Sequence, residues 1–212
     1  MQNKKKILKN KFSHFIFDVD GVILNSKENM RLSWNETSIK FNLKIKFAQY
    51  FKNIGLPFPT ILKKININSN HRNIEKEYKK NSIKHFKKIN LYRNIKKFIS
   101  HLEEKKIPYY IVTSKDRKRT EQFLHEYKIF PRSIHCPSTK LKGKPKPDLI
   151  NYCIRINNIK KKDCCFIGDT EYDYMASKNA KVSFVFANYG YGKNNNKYKL
   201  IINKPEDLFN FI

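Results

Sequence analysis

Asp18 and Asp20 are the side chains with the clearest chemical potential in this 212-residue chain. They close the apolar run Phe15-Ile16-Phe17 and are followed by Gly21. The pattern reads as a short buried strand that stops on two carboxylates and a glycine that lets the backbone turn. Side chains at i and i+2 of a strand leave on the same side, so both acids are expected to face one pocket. Like charges that close disfavour ionisation, which points to a cation or to separate jobs for the two acids. Taken alone, D-x-D-G is equally a hairpin turn. Three more strand ends argue for chemistry: Ile111-Val112-Thr113-Ser114-Lys115 stops on two hydroxyls, Gly143-Lys144-Pro145-Lys146-Pro147-Asp148 sets a lysine before a proline-started helix, and Cys165-Phe166-Ile167-Gly168-Asp169-Thr170-Glu171-Tyr172-Asp173 stops on G-D-x-x-x-D.

These four segments, in this order, resemble the haloacid dehalogenase-like phosphatase superfamily from about residue 15 to about residue 192. Asn188-Tyr189-Gly190-Tyr191-Gly192 and Ile54-Gly55-Leu56-Pro57 are similar to the phosphoglycolate phosphatase-like branch. Lys181 departs from that branch, which tends to have glycine there. Val22-Ile23 is shared with the β-phosphoglucomutase-like branch.

The elements that must position these residues follow from periodicity. Helices are expected over 25–41, 60–67, 73–88, 94–106, 117–128, 147–156 and 171–180, with a terminal one over 205–212. Strands are expected at 15–17, 107–113, 133–136, 163–168 and 182–187. Alternating strands and helices argue for an α/β fold, a doubly wound parallel sheet whose ligands gather at the C-terminal strand ends. The stretch 25–88 carries no strand signal, and an all-helical insert there resembles the superfamily's cap. The expected domains are an α/β core of residues 1–22 and 89–212 and a helical cap of residues 23–88.

What the resemblance implies can be written residue by residue. Asp18 would be the nucleophile, forming an aspartyl-phosphate, and Asp20 the general acid and base. Dehalogenases, which attack carbon, lack an aspartate at that second position, so Asp20 favours phosphoryl transfer. Thr113 through its hydroxyl and Ser114 through its backbone N–H would bind the transferring group, and Lys144 would neutralise it and hold Asp18. Lys140, Lys142 and Lys146 compete with Lys144 for that task. The cofactor would be Mg²⁺, held by Asp18, the Asp20 carbonyl and Asp169, with Asp173 acting through water or from behind. Lys52 and Gly55, in the loop around residue 54, are the candidate substrate contacts.

Bulk composition bounds the rest. The four cysteines show no C-x-x-C spacing, and Cys164 and Cys165 should point to opposite faces of a strand. A reducing, cytoplasmic setting is the natural expectation. The six histidines show no metal-binding spacing and read as surface or packing residues. The formal net charge of +27 raises the possibility of a polyanion partner. The lysines are spread rather than striped, however, and accompany many asparagines and isoleucines, so most of the charge reads as composition bias and nucleic acid is not the expected partner. No stretch approaches the roughly 20 apolar residues of a membrane span. Residues 1–11 are basic without a signal peptide's apolar region and read as a frayed tail or short lead-in. The expected activity is hydrolysis of a small phosphate monoester, 2-phosphoglycolate or a sugar phosphate. A sugar phosphomutase using the same two acids, and a polyanion-binding protein with an idle site, are the alternatives.

Overall fold

The computed structural model describes residues 12–194 and 196–212. The lead-in expected at 1–11, and Asn195 of the asparagine loop, lie outside the described residues. Six parallel strands form one sheet in the order β5-β4-β1-β6-β7-β8, with β1 (His14–Phe17), β4 (Tyr109–Val112), β5 (Ser133–His135), β6 (Cys164–Gly168), β7 (Ser183–Ala187) and β8 (Leu200–Ile202). The strands are short, and the central three, β4, β1 and β6, are almost wholly buried because helices cover both faces.

Strand alternation sorts the two cores. Phe15, Phe17, Tyr109, Ile111, Cys165 and Ile167 pack under α5 (Ile95–Glu104), α6 (Arg117–Glu126) and the terminal helix. Ile16, Tyr110, Val112, Cys164 and Phe166 pack under α7 (Asp148–Ile156) and α8 (Glu171–Ala180). Cys164 and Cys165 do face opposite ways, and all four cysteines are free and buried. Among the described residues, no helix is long and apolar enough to cross a membrane.

Between β1 and α5 lie α1 (Lys27–Lys40), α2 (Phe47–Phe51), α3 (Phe58–Lys64) and α4 (His71–Lys84). These helices share their own apolar cluster, in which Trp34 stacks on Tyr50 at 4.5 Å beside Phe58, Ile61, Leu62, Ile74 and Tyr78. The α1 helix has few apolar residues, and its seam with α4 is polar instead: Asn29 donates to the Ser82 carbonyl at 2.8 Å, and Asn81 donates to Thr37 Oγ1 at 3.1 Å.

Several expectations shift by small amounts. Asn25 is in a strand rather than a helix, because β2 (Leu24–Asn25) pairs antiparallel with β3 (Asn90–Leu91), closing the base of the helical insert. Helix α2 was not expected. Helix α3 begins at Phe58 because its prolines occupy the tolerant first turn. Strand β8 was not expected either, and the terminal helix Pro205–Phe211 is of the 3₁₀ type.

Lys181 ends α8 in the left-handed conformation, φ 57° and ψ 48°. A side chain there costs about 1 kcal/mol or more, and glycine removes that strain while adding unfolded-state entropy. Lys181→Gly is therefore expected to raise stability by about 0.5–1 kcal/mol in denaturant unfolding, with activity unchanged. A loss of stability would contradict this account of the turn.

Candidate active site

Asp18, Thr113 and Asp169 each follow the last residue of β1, β4 and β6, three neighbouring strands, so they meet at one end of the sheet. Asp18 is fixed first by its backbone, whose N–H donates to the Ile167 carbonyl at 2.9 Å. Its Oδ2 lies 2.6 Å from Lys144 Nζ, which also lies 2.5 Å from Asp173 Oδ1. Lys144 is 1% exposed, whereas Lys140, Lys142 and Lys146 are on the surface. Of the four candidate lysines it alone is aimed at Asp18.

Burial is the largest influence on each of these charges. It pushes the Asp18 carboxyl up to about 6 against the pull of Lys144, and it raises Asp169 well above the carboxylate range with help from Asp173 and Asp18. For Lys144 burial acts downward, yet Asp173 and Asp18 together hold the ammonium above its ordinary value.

Asp169 is held by close backbone. Tyr191 N–H donates to its Oδ2 at 2.6 Å, and a Cβ on Gly21 (φ +85°) would sit 2.0 Å from that same oxygen. Only glycine allows this turn to press against the carboxylate. Asp173 starts α8 in a reciprocal cap: its Oδ2 accepts from Thr170 N–H at 3.0 Å and from Thr170 Oγ1 at 2.6 Å.

A cation fits this cluster. Asp18, Asp169 and Asp173 offer carboxylate oxygens within 4.8 Å of one another. Asp18 Oδ1 and Asp169 Oδ1 are buried without a hydrogen-bond partner, a condition that is costly for carboxylates unless a positive charge meets them. Asp18 and Asp169 would hold a hard divalent ion. Both oxygens of Asp173 are already taken by Lys144 and Thr170, so Asp173 is joined to the cluster through Lys144.

Asp20 does not share these surroundings. Its Oδ1 accepts from Ser26 Oγ at 2.5 Å and its Oδ2 pairs with Lys115 Nζ at 2.9 Å. Asp18 and Asp20 nonetheless line one cavity of about 50 Å³, together with Thr113, Ser114, Lys144 and Gly55. That volume has room for roughly three to five waters.

Lys52 is corrected. It is exposed and lines two more open clefts, one of which shares Ile54, Thr170 and Tyr191 with the Asp18 cavity, and Gly55 (φ +98°) then folds the chain back against Thr170. Among the further residues that reach the cavity are Lys115, Arg119, Tyr50, Tyr78, Tyr191 and Thr170, beside the apolar Met30, Phe58 and Ile61. Lys115 directly follows the two hydroxyls at the β4 end and was open to notice. Arg119 is one turn further along α6 and carries no sequence signal.

A haloacid dehalogenase-like hydrolase family model matches residues 15–187. A protein provisionally named pyrophosphatase PpaX, from Caldanaerobacter subterraneus subsp. tengcongensis, is 24% identical over 179 residues, covering 82% of this chain and 81% of that one. Among solved structures, one provisionally described as a phosphoglycolate phosphatase from Lactobacillus plantarum has a TM-score of 0.87 at 22% identity, covering 95% of this chain and all of that one. CbbY from Rhodobacter sphaeroides, in complex with phosphate, has a TM-score of 0.81 at 15% identity over 93% and 96% of the two chains. At these identities the structural likenesses speak for the fold.

Because the orphaned oxygens belong to the native state only, Mg²⁺ should stabilise the fold. Saturation at a hundred times Kd would contribute about 2.7 kcal/mol, read as a rise in unfolding temperature. Asp169→Asn should abolish most of that rise, and an equal rise in the variant would place the ion elsewhere.

Proposed function

The chain belongs to the haloacid dehalogenase-like hydrolase family, and on that premise we propose that it is a Mg²⁺-dependent phosphatase of small phosphate monoesters, working through an aspartyl-phosphate on Asp18. The observation that carries the reading is the division between the two acids. Asp18 is buried against Lys144, while Asp20, two residues on, is held by Ser26 and Lys115 in the same cavity. Separate partners let the two acids take separate jobs, with Lys144 favouring the charged form of Asp18 that attack requires.

In the first step the Asp18 carboxylate attacks phosphorus and the bond to the leaving oxygen breaks. Asp20 gives its proton to that oxygen, and the carboxylate so formed is stabilised by Ser26 and Lys115. In the second step Asp20 takes a proton from water, the water oxygen attacks phosphorus, and the bond to Asp18 breaks with release of phosphate. Lys144 offsets the charge on Asp18 throughout, while Thr113 Oγ1 and the Ser114 N–H bind the transferring oxygens. A cation held by Asp18 and Asp169 supplies further neutralisation of the phosphoryl charge. Helices α1–α4 form a cap, with a boundary at the β2–β3 pair, that excludes water over the site.

Candidate substrates are 2-phosphoglycolate and small sugar phosphates. The name of the PpaX relative adds pyrophosphate, and the phosphate in the CbbY structure is in keeping with the same chemistry.

Phosphate release from a panel of these compounds, with Mg²⁺ and with chelator, tests the reading. Asp18→Asn is expected to abolish metal-dependent release, and Asp20→Asn to slow it by about 10²–10⁴-fold for alkyl phosphates. Unchanged release in Asp18→Asn would overturn the mechanism. Isomer conversion without free phosphate would replace it by a phosphomutase.

A further inference from the structure

The hydrolytic steps leave one part of the cavity unused. Where helices α1–α4 meet α6, apolar side chains such as Met30, Leu56, Phe58 and Ile61 line the cavity together with the hydrogen-bonding groups of Tyr50, Tyr78 and Arg119. Arg119 is 6% exposed, and its Nε–H donates to Asp116 Oδ2 at 2.6 Å. Its guanidinium lies 5.4 Å from the Tyr78 ring centroid. A guanidinium has five N–H groups; one goes to Asp116, and even if the Tyr78 oxygen took another, three would remain. Tyr78 accepts from the Tyr50 hydroxyl at 3.0 Å, which leaves its own proton free to donate. Lys115 spends one of three N–H groups on Asp20, and Ser114 Oγ is buried with no partner at all. All of these residues line the same cavity as Asp18 and Asp20.

Unspent donors set among apolar side chains in so small a space call for a ligand that brings acceptors to them. The transferring phosphoryl group is already provided for at Thr113 Oγ1, the Ser114 N–H and Lys144. Lys115 ties the remaining donors to Asp20, at 2.9 Å from its Oδ2, and Asp20 is the acid that the hydrolytic reading places beside the leaving oxygen.

We infer that Arg119 is a specificity-determining residue that binds a second oxyanion carried on the substrate's leaving group, with Lys115, Ser114 and Tyr78 completing its contacts. The substrate class is then a compact phosphate compound whose leaving group ends in a carboxylate or in another phosphate, short enough for a cavity of about 50 Å³. This rests on the hydrolytic reading above. Arginine suits the task because its planar fork meets two oxygens of a carboxylate or phosphate at once.

The test compares kcat/KM for 2-phosphoglycolate, for pyrophosphate and for 2-hydroxyethyl phosphate, whose leaving group is neutral. Wild type should prefer at least one of the two anionic compounds, and which one tells carboxylate from phosphate. Arg119→Gln should lower kcat/KM for the preferred compound on the order of 10- to 100-fold, with less than about a threefold change for 2-hydroxyethyl phosphate. Arg119→Lys should recover part of the loss. Asp116→Asn, which removes the ion pair but keeps the guanidinium, should preserve the anionic-to-neutral ratio. Equal losses on charged and neutral substrates in Arg119→Gln, or a wild-type preference for the neutral one, would overturn the inference while leaving hydrolysis intact. Calorimetry on Asp18→Asn separates the other failure. Arg119-dependent binding of 2-phosphoglycolate or pyrophosphate, with no phosphate release by wild type, would keep the anion site and overturn hydrolysis. Absence of both binding and release would overturn both.

Discussion

A lysine ammonium enclosed by protein needs carboxylates around it, and buried carboxylates need the lysine. Lys144 between Asp18 and Asp173 is the constraint on which the site depends. Removing either partner would leave an uncompensated buried charge, which is far costlier than never burying the pair. The requirement reaches outward through covalent structure. Asp173 must start α8, so its other oxygen caps that helix through Thr170. Lys144 must precede α7. Asp18 must end the central strand. Three elements distant in sequence are thereby held in register by one ammonium.

That arrangement explains why so much was legible. Each motif residue stands just past an apolar run, and strand ends are positions that periodicity locates well. Once the alternation of β1, β4 and β6 is read as parallel, their ends must lie side by side, and Asp18, Thr113 and Asp169 come together without knowledge of any side-chain direction. The choice of Lys144 among its neighbours was harder, since four lysines lie within seven residues. Burial separates them, and burial is a property of the fold.

The cap side was read less well for a physical reason. Lys52 and Arg119 carry similar charge, and neither stands in a spacing that reports its direction. What decides between them is a turn. Gly55 folds the chain against Thr170, so the apolar residues around it enter the cavity while Lys52 stays outside. Arg119 enters because α6 begins at the Asp116 cap and presents its first turn to Tyr78. Strands β2, β3 and β8 were missed because two or three residues are too few to show alternation. The polar seam of Asn29, Ser82, Thr37 and Asn81 was invisible for a related reason, since its hydrogen bonds pair residues roughly fifty positions apart.

The balance of charge in the site gives its own account of what must bind there. Four carboxylates, Asp18, Asp20, Asp169 and Asp173, meet two ammonium groups, Lys144 and Lys115. With all four ionised the deficit would be two positive charges, and burial resists that ionisation most at Asp169 and Asp18, the acids that own the two carboxylate oxygens left without partners. A divalent cation between them would cancel the deficit where it is felt most. The site would then be close to neutral overall, and a phosphoryl dianion entering it would still need donors rather than more acids. Donors are present in the same cavity, at Ser114, Lys115, Arg119 and Tyr78. The acidic groups thus suit a metal and the spare donors suit an anion, within one cavity that Asp20 also lines.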